Sequence, residues 1–141
     1  MNGSMPYHYV WLVWSSAFLA PWVLFYAAFP QHRAAMGWTS VFMAPFGLTE
    51  PLFVPEYWNP PSLFELAQRT GFDIESIIFS FAIGGVGAVL YNIITARKLE
   101  PLGVHERHDP RHRFHKLALG LPFALFPALY FLPWNPIYPG I

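Results

Sequence analysis

The sequence contains no cysteine, which excludes disulfide bonds, thiol catalysis and cysteine metal sites. Charge is also scarce: 11% of the residues are charged, whereas a soluble domain has about 25%. The formal net charge is zero, and because no basic tract runs along the chain, nucleic-acid binding is not expected. In contrast, 55% of the residues are hydrophobic and 19% are aromatic. These proportions predict an integral membrane protein whose outer solvent is the lipid bilayer.

The 141 residues are enough for a single transmembrane helical domain, 1–141. Apolar segments predict an all-α, polytopic integral membrane protein with about four transmembrane helices and a short interfacial helix. The predicted spans are 9–29, 35–54, 73–95 and 117–133.

Local signals set the ends of these predicted helices. Pro21 is expected to kink the first span and Pro30 to end it. A break is expected in the second span near Pro45 to Gly47, where protein or water rather than lipid must face the backbone. The pattern Ser62-x-x-Glu65 is a capping box, which predicts the start of the interfacial helix.

Basic residues predict the orientation of the chain. Six of the eight Lys and Arg residues lie in one hydrophilic stretch: Arg97, Lys98, Arg107, Arg111, Arg113 and Lys116. We therefore expect the loop from Arg97 to Lys116 to be cytoplasmic.

Three acidic residues are the first candidates for chemistry. Glu50 lies near the end of the second span, and Asp73 and Glu75 lie at the start of the third, so the predicted topology brings them to one membrane face. A carboxyl at membrane depth is costly and is a functional hypothesis by default, and burial would keep its proton available. The alternative is structural: Asp73 is a good helix N-cap, and Glu75 complements the helix dipole.

Histidine and aromatic residues give two further hypotheses. His105, His108, His112 and His115 have the spacing of one helical face and could hold a metal. However, a solvated basic loop beside lipid headgroups is favoured, and no metal or cofactor is expected. Among many aromatics suited to a long isoprenoid or a carbocation, the residues expected to bind substrate are Phe79 and Tyr91 together with Asn92.

The stretch from Gly71 to Phe79, which opens a helix running on to Tyr91, resembles the small membrane-embedded lycopene cyclase domain of bacterial and fungal carotenoid cyclases. That family has an acidic motif of the type Pro-x-Glu-Glu-x-x-Phe at the start of a helix. Asp73 stands at the proline position, and Glu75 and Ser76 stand at the paired glutamates, so one glutamate is kept.

The resemblance implies a proton-initiated, redox-neutral cyclisation of the end group of a linear carotenoid. Glu75 would be the acid, Glu50 a second carboxyl and Asp73 a supporting group. It also implies a subunit of a homo- or hetero-oligomer in a bacterial cytoplasmic membrane. Two alternatives stay open: a non-catalytic membrane module that binds a carotenoid, lipid or partner helix, and a metal enzyme that uses the histidines.

Overall fold

The computed structural model describes residues 7–54, 57–98, 103, 109–110 and 113–133, and these residues form helices and turns without a β-strand. The α-helices are α1 Val10–Ala17, α2 Leu19–Ala28, α3 Arg33–Met43, α4 Leu66–Thr70, α5 Ile74–Ile94 and α6 His115–Tyr130. Short 3-10 helices cover Tyr7–Tyr9, Pro30–His32, Ala44–Leu52 and Leu63–Glu65. The predicted all-α class is confirmed.

The first predicted span consists of two consecutive apolar helices, α1 and α2, which are separated by a break at Phe18. Pro21 has no N–H to donate to the carbonyl of Ala17, so the helical ladder is interrupted one turn before the proline. The Phe18 N–H bonds Ser15 O at 3.3 Å instead of continuing the α-helical pattern. The second α-helix ends at Ala28, directly before Phe29 and Pro30.

The second predicted span changes its helical type partway along. After the 11 residues of α3, the chain continues as the 3-10 helix Ala44–Leu52. Pro45 cannot donate to the carbonyl of Val41, so the α-helix ends where the break was expected. A 3-10 helix is narrower than an α-helix.

Two helices in the part of the chain that the structure describes are long and apolar enough to cross a membrane. They are Val10–Ala28, which joins α1 and α2 across Phe18, and Ile74–Ile94, which is α5. Neither α3 nor the 16 residues of α6, with Pro122 and Pro127 inside it, reaches that length. Therefore, two of the four predicted spans contain a helix that is long enough to cross a membrane.

The predicted capping box at Ser62 is wrong. Phe64 and Glu65 both have φ of 56°, in the left-handed region, so the first turn is not α-helical. The Ser62 hydroxyl accepts from Ala67 N at 2.8 Å, and Glu65 pairs with Arg69 at 3.1 Å. The predicted interfacial helix is reduced to the 3-10 turn Leu63–Glu65 and the five residues of α4.

The chain divides into two compact units, 1–99 and 100–141. In the first unit α5 is the central helix, and it contacts α1, α2, α3 and the 3-10 helix Ala44–Leu52. The second unit contains α6. The single-domain interpretation stays a prediction.

Glycines allow α3 to pack closely against α5. A Cβ added at Gly84 would lie 2.6 Å from Met43 Cβ, and one added at Gly85 would collide with Ser40 and Trp22. The indole of Trp22 donates to Ser40 Oγ at 2.8 Å across this contact. The close approach of another helix at Gly84 is thus made by α3.

Burial in this fold is inverted relative to a water-soluble domain. Most of the fully buried side chains that are not glycine or proline are polar or small, whereas large apolar side chains cover the outside. Trp38, for example, is 78% exposed and Ile94 is 74% exposed. Among the described residues, the buried polar side chains are Ser15, His32, Ser40, Ser62, Asp73, Glu75 and Ser76.

Candidate functional site

Ser76, in the first turn of α5, joins two acidic residues from different parts of the chain. Asp73 is the N-cap of α5, and its Oδ1 accepts from the backbone N–H of Ser76 at 2.5 Å. The hydroxyl of Ser76 donates to Glu50 Oε1. The predicted convergence of the second and third segments therefore occurs between Glu50 and Asp73, with Ser76 as the link.

Gly47 brings Glu50 to this position. Gly47 is buried against α5, and a Cβ added to it would lie 2.5 Å from Ile77 N and 2.6 Å from Ser76 C. The 3-10 helix can therefore rest on the backbone of α5 only because residue 47 has no side chain. In the sequence, Gly47 marked a helix break, and nothing there indicated this packing role.

The carboxyls of Glu50 and Asp73 both accept hydrogen bonds from Ser76 and interact electrostatically with each other. Glu50 Oε2 and Asp73 Oδ2 are both buried without a donor, and Asp73 is 3% exposed. A proton on Glu50 would satisfy the pair, because it allows a carboxyl–carboxylate hydrogen bond. This arrangement favours a proton on Glu50.

The pKa of Glu50 also favours a proton on this carboxyl. Glu50 lies outside both helices that are long enough to cross a membrane. Burial and, to a smaller extent, the neighbouring carboxyl of Asp73 raise the pKa of Glu50, and the Ser76 and Trp58 hydrogen bonds lower it; the net result is a pKa of about 8. The direction of this shift favours the protonated form of the Glu50 carboxyl.

An aromatic cavity of about 420 Å³ opens beside Glu50. It is lined by Trp11, Phe46, Gly47, Thr49, Glu50, Phe53, Trp58, Ser76, Phe79 and Ser80. The Trp58 indole donates to Glu50 Oε1 at 3.1 Å and packs edge-on against Trp11, with ring centroids 5.2 Å apart. Phe79, a predicted substrate-binding residue, is part of this wall.

Glu75, the acid that the family resemblance implies, has different contacts. Its side chain is fully buried, and Oε1 accepts from the backbone N–H of Leu63 at 2.6 Å. Successive residues of an α-helix are rotated by roughly 100°, so Glu75 and Ser76 leave α5 in different directions. Glu75 is not part of the cavity lining.

Tyr91 and Asn92 lie at the opposite end of α5. They are 15 and 16 positions beyond Ser76, which corresponds to roughly 22–24 Å of helix. Tyr91 is 61% exposed, and the guanidinium of Arg97 lies over its ring, 5.9 Å from the centroid. These two predicted substrate-binding residues are not brought to the cavity.

Most of the histidines of the predicted metal site lie outside the residues that the structure describes. His105, His108 and His112 lie outside the described residues, and His115 is described only as the first residue of α6. Among the side chains that the structure places, no group of three or more potential ligands could hold a metal. The histidine metal site stays a prediction.

Comparisons with protein-family models, with curated proteins and with solved structures find no match to this chain.

Proposed function

We propose that this chain is an integral membrane protein. Two apolar helices of sufficient length and the inverted burial support this proposal. Buried polar groups need partners inside the protein, whereas large apolar side chains on the outside are stable against lipid. In the finer version of the proposal, α3 and α6 belong to two further crossings, which makes four, and the loop from Arg97 to Lys116 faces the cytoplasm.

For the chemistry, we propose acid-initiated, redox-neutral cyclisation of an unsaturated isoprenoid, of which the end group of a linear carotenoid is the leading case. The observation that carries this proposal is the position of Glu50, at the wall of an aromatic cavity and paired with Asp73. An apolar substrate brings no polar group of its own, so the protein must supply the proton. The resemblance of the stretch from Gly71 to Phe79 to the lycopene cyclase domain adds to this argument.

The proposed reaction needs no oxidant and no cofactor. Glu50 donates its proton to the terminal double bond of the substrate, and the electron pair of the next double bond attacks the resulting cation and closes the ring. A proton is then lost from a neighbouring carbon to a carboxylate of the Glu50–Asp73 pair. The faces of Trp11, Trp58 and Phe79 would stabilise the cation.

The roles differ from those that the family resemblance implies. Glu50 becomes the acid, Asp73 its partner and Ser76 a positioning residue, because these three groups meet beside the cavity. Glu75 becomes a structural acceptor for Leu63.

The test is expression of the full chain in cells that accumulate a linear carotenoid. Glu50→Gln keeps the shape of the side chain and removes the acid, so we expect cyclised product to fall by about 100-fold or more. Glu65→Gln is the matched control, because Glu65 is an exposed acid outside the cavity. Equal product from Glu50→Gln and the parent chain, or no cyclised product from the parent chain, would contradict the proposal.

A second candidate is a non-catalytic module that binds a pigment or a partner helix. Gly87, on an exposed part of α5, has no atom within 4 Å of an added Cβ, so this surface can accept another helix closely. A homo- or hetero-oligomer would form there. Recovery of unchanged linear carotenoid with the purified chain would favour this candidate over the enzyme.

A further inference from the structure

A second cavity, separate from the acidic site, runs along the outside of α3. Its volume is about 330 Å³, and it is lined by Arg33, Ala34, Gly37, Trp38 and Val41. Arg33, Gly37 and Val41 are spaced four residues apart and therefore share one face of the helix over about 12 Å. The cavity is thus an elongated groove with a cation at one end and apolar walls along the rest.

The cation is held in place by the preceding helix. Arg33 Nε donates to Tyr26 O at 2.7 Å, and one terminal nitrogen donates to Ala27 O at 3.3 Å. Its guanidinium also lies 5.3 Å from the centroid of the Tyr26 ring. These contacts fix the guanidinium at the carboxyl end of α2, where the helix dipole favours a positive charge.

The charge of Arg33 has no counter-ion in the part of the chain that the structure describes. The ion pair found there joins Arg69 and Glu65. Arg33 itself is exposed, so its free donors can meet an anion. A guanidinium whose remaining N–H groups can still donate is well suited to bind phosphate oxygens.

The apolar part of the groove is open and exposed. An added Cβ at Gly37 would have no atom within 4 Å, and Trp38 and Val41 are 78% and 61% exposed. The missing side chain at Gly37 leaves a channel between Arg33 and Val41. A free phosphate ion would use the cation but would leave this channel empty.

We propose that this groove binds one anionic phospholipid, with its phosphate on Arg33 and an acyl chain lying over Gly37 between Trp38 and Val41. Charge and shape are complementary to such a molecule along the whole groove. Indole rings are common at the level of lipid headgroups, where Trp38 would lie. This inference rests on the proposed membrane location and not on the proposed cyclisation.

The test uses the full chain purified in detergent and mixed with either phosphatidylglycerol or phosphatidylcholine, with bound lipid counted by native mass spectrometry. We expect retention of one phosphatidylglycerol and not of phosphatidylcholine. Arg33→Gln should reduce the affinity by about tenfold or more, because a charge-assisted hydrogen bond is lost. Arg69→Gln is the charge control and should retain the lipid.

Gly37→Leu tests the groove without changing any charge. The leucine should fill the channel and reduce lipid retention as much as Arg33→Gln does. Gly87→Leu is the matched control, since an added Cβ at Gly87 also meets open space. Both variants should keep the helical circular dichroism of the parent chain.

Three results would overturn the lipid proposal: equal retention of the two lipids, unchanged retention in Gly37→Leu, or binding of inorganic phosphate alone without retention of phosphatidylglycerol. None of these results bears on cyclisation, which is measured in cells through Glu50. Conversely, loss of product in Glu50→Gln should leave lipid retention unchanged.

Discussion

The hydroxyl of Ser76 donates a hydrogen bond to Glu50, a residue 26 positions earlier in the chain. This contact holds the 3-10 helix Ala44–Leu52 against the first turn of α5 and fixes one oxygen of the Glu50 carboxyl. Trp58 donates to the same oxygen, so the other oxygen of Glu50 is left for the Asp73 carboxyl.

Ser76→Ala should raise the pKa of Glu50, because the Ser76 hydroxyl stabilises the ionised carboxyl and its loss favours the protonated form. The protonated carboxyl can be followed by its infrared carbonyl band as pH is raised. Ser80→Ala is the control, since Ser80 lines the same cavity. An unchanged Glu50 titration in Ser76→Ala would contradict the assigned role.

The stability of the protein should fall as pH rises. The folded-state pKa of Glu50 is about 8, above its ordinary value of 4.5, so the folded state binds this proton more tightly than the unfolded state does. The contribution of this proton to the free energy of unfolding is fully present below the pKa that Glu50 has in the unfolded state. It is lost as the pH rises through the pKa of Glu50 in the folded state.

Thermal unfolding in detergent, measured across this pH range, checks the prediction. Glu50→Gln should flatten the decrease, because glutamine does not titrate. The same slope in Glu50→Gln and the parent chain would show that another group is responsible.

Gly47→Ala should destabilise the protein by about 1–3 kcal/mol, since the added methyl would press on the backbone of α5 at Ile77. It should also weaken the contact between Ser76 and Glu50. Gly87→Ala is the control and should be neutral or stabilising by up to about 1 kcal/mol, because alanine favours a helix where there is space. Unfolding midpoints of the two variants provide the comparison.

Glu75→Gln should keep the fold and the proposed activity, because its amide oxygen can still accept from Leu63 N. Glu75→Ala should cost about 1–3 kcal/mol, since a buried N–H loses its partner. Hydrogen exchange at Leu63 and product formation separate the two roles. Loss of product in Glu75→Gln, with normal stability, would return Glu75 to the role of acid.

The helical class and the position of α5 could be predicted because they depend on local signals. Asp73 was expected as an N-cap and is one, and the uncharged run that follows gives a helix of 21 residues. The break after α3 followed from Pro45 in the same way. These features depend on residues within one or two turns of each other.

The partners of the acidic residues depend on packing and could not be predicted from the sequence. Glu50, Asp73 and Glu75 were expected at one membrane face, with Glu75 as the implied acid. However, one position along α5 decides which side chain faces the 3-10 helix, and Ser76 occupies that direction. The failed capping box at Ser62 has a similar cause. The left-handed backbone at Phe64 and Glu65 is maintained by contacts distant in sequence, including Leu63 with Glu75.

Large apolar side chains are exposed and hydroxyl side chains are buried, and this arrangement has a practical consequence for engineering. Contacts such as Trp22 with Ser40 are made inside the protein and do not involve the surrounding medium. Replacing outward side chains such as Val13, Leu24 and Val41 by hydrophilic ones would leave those contacts in place. Under the proposed membrane location, a water-soluble analogue would therefore be obtained by changing exposed side chains and keeping the buried ones.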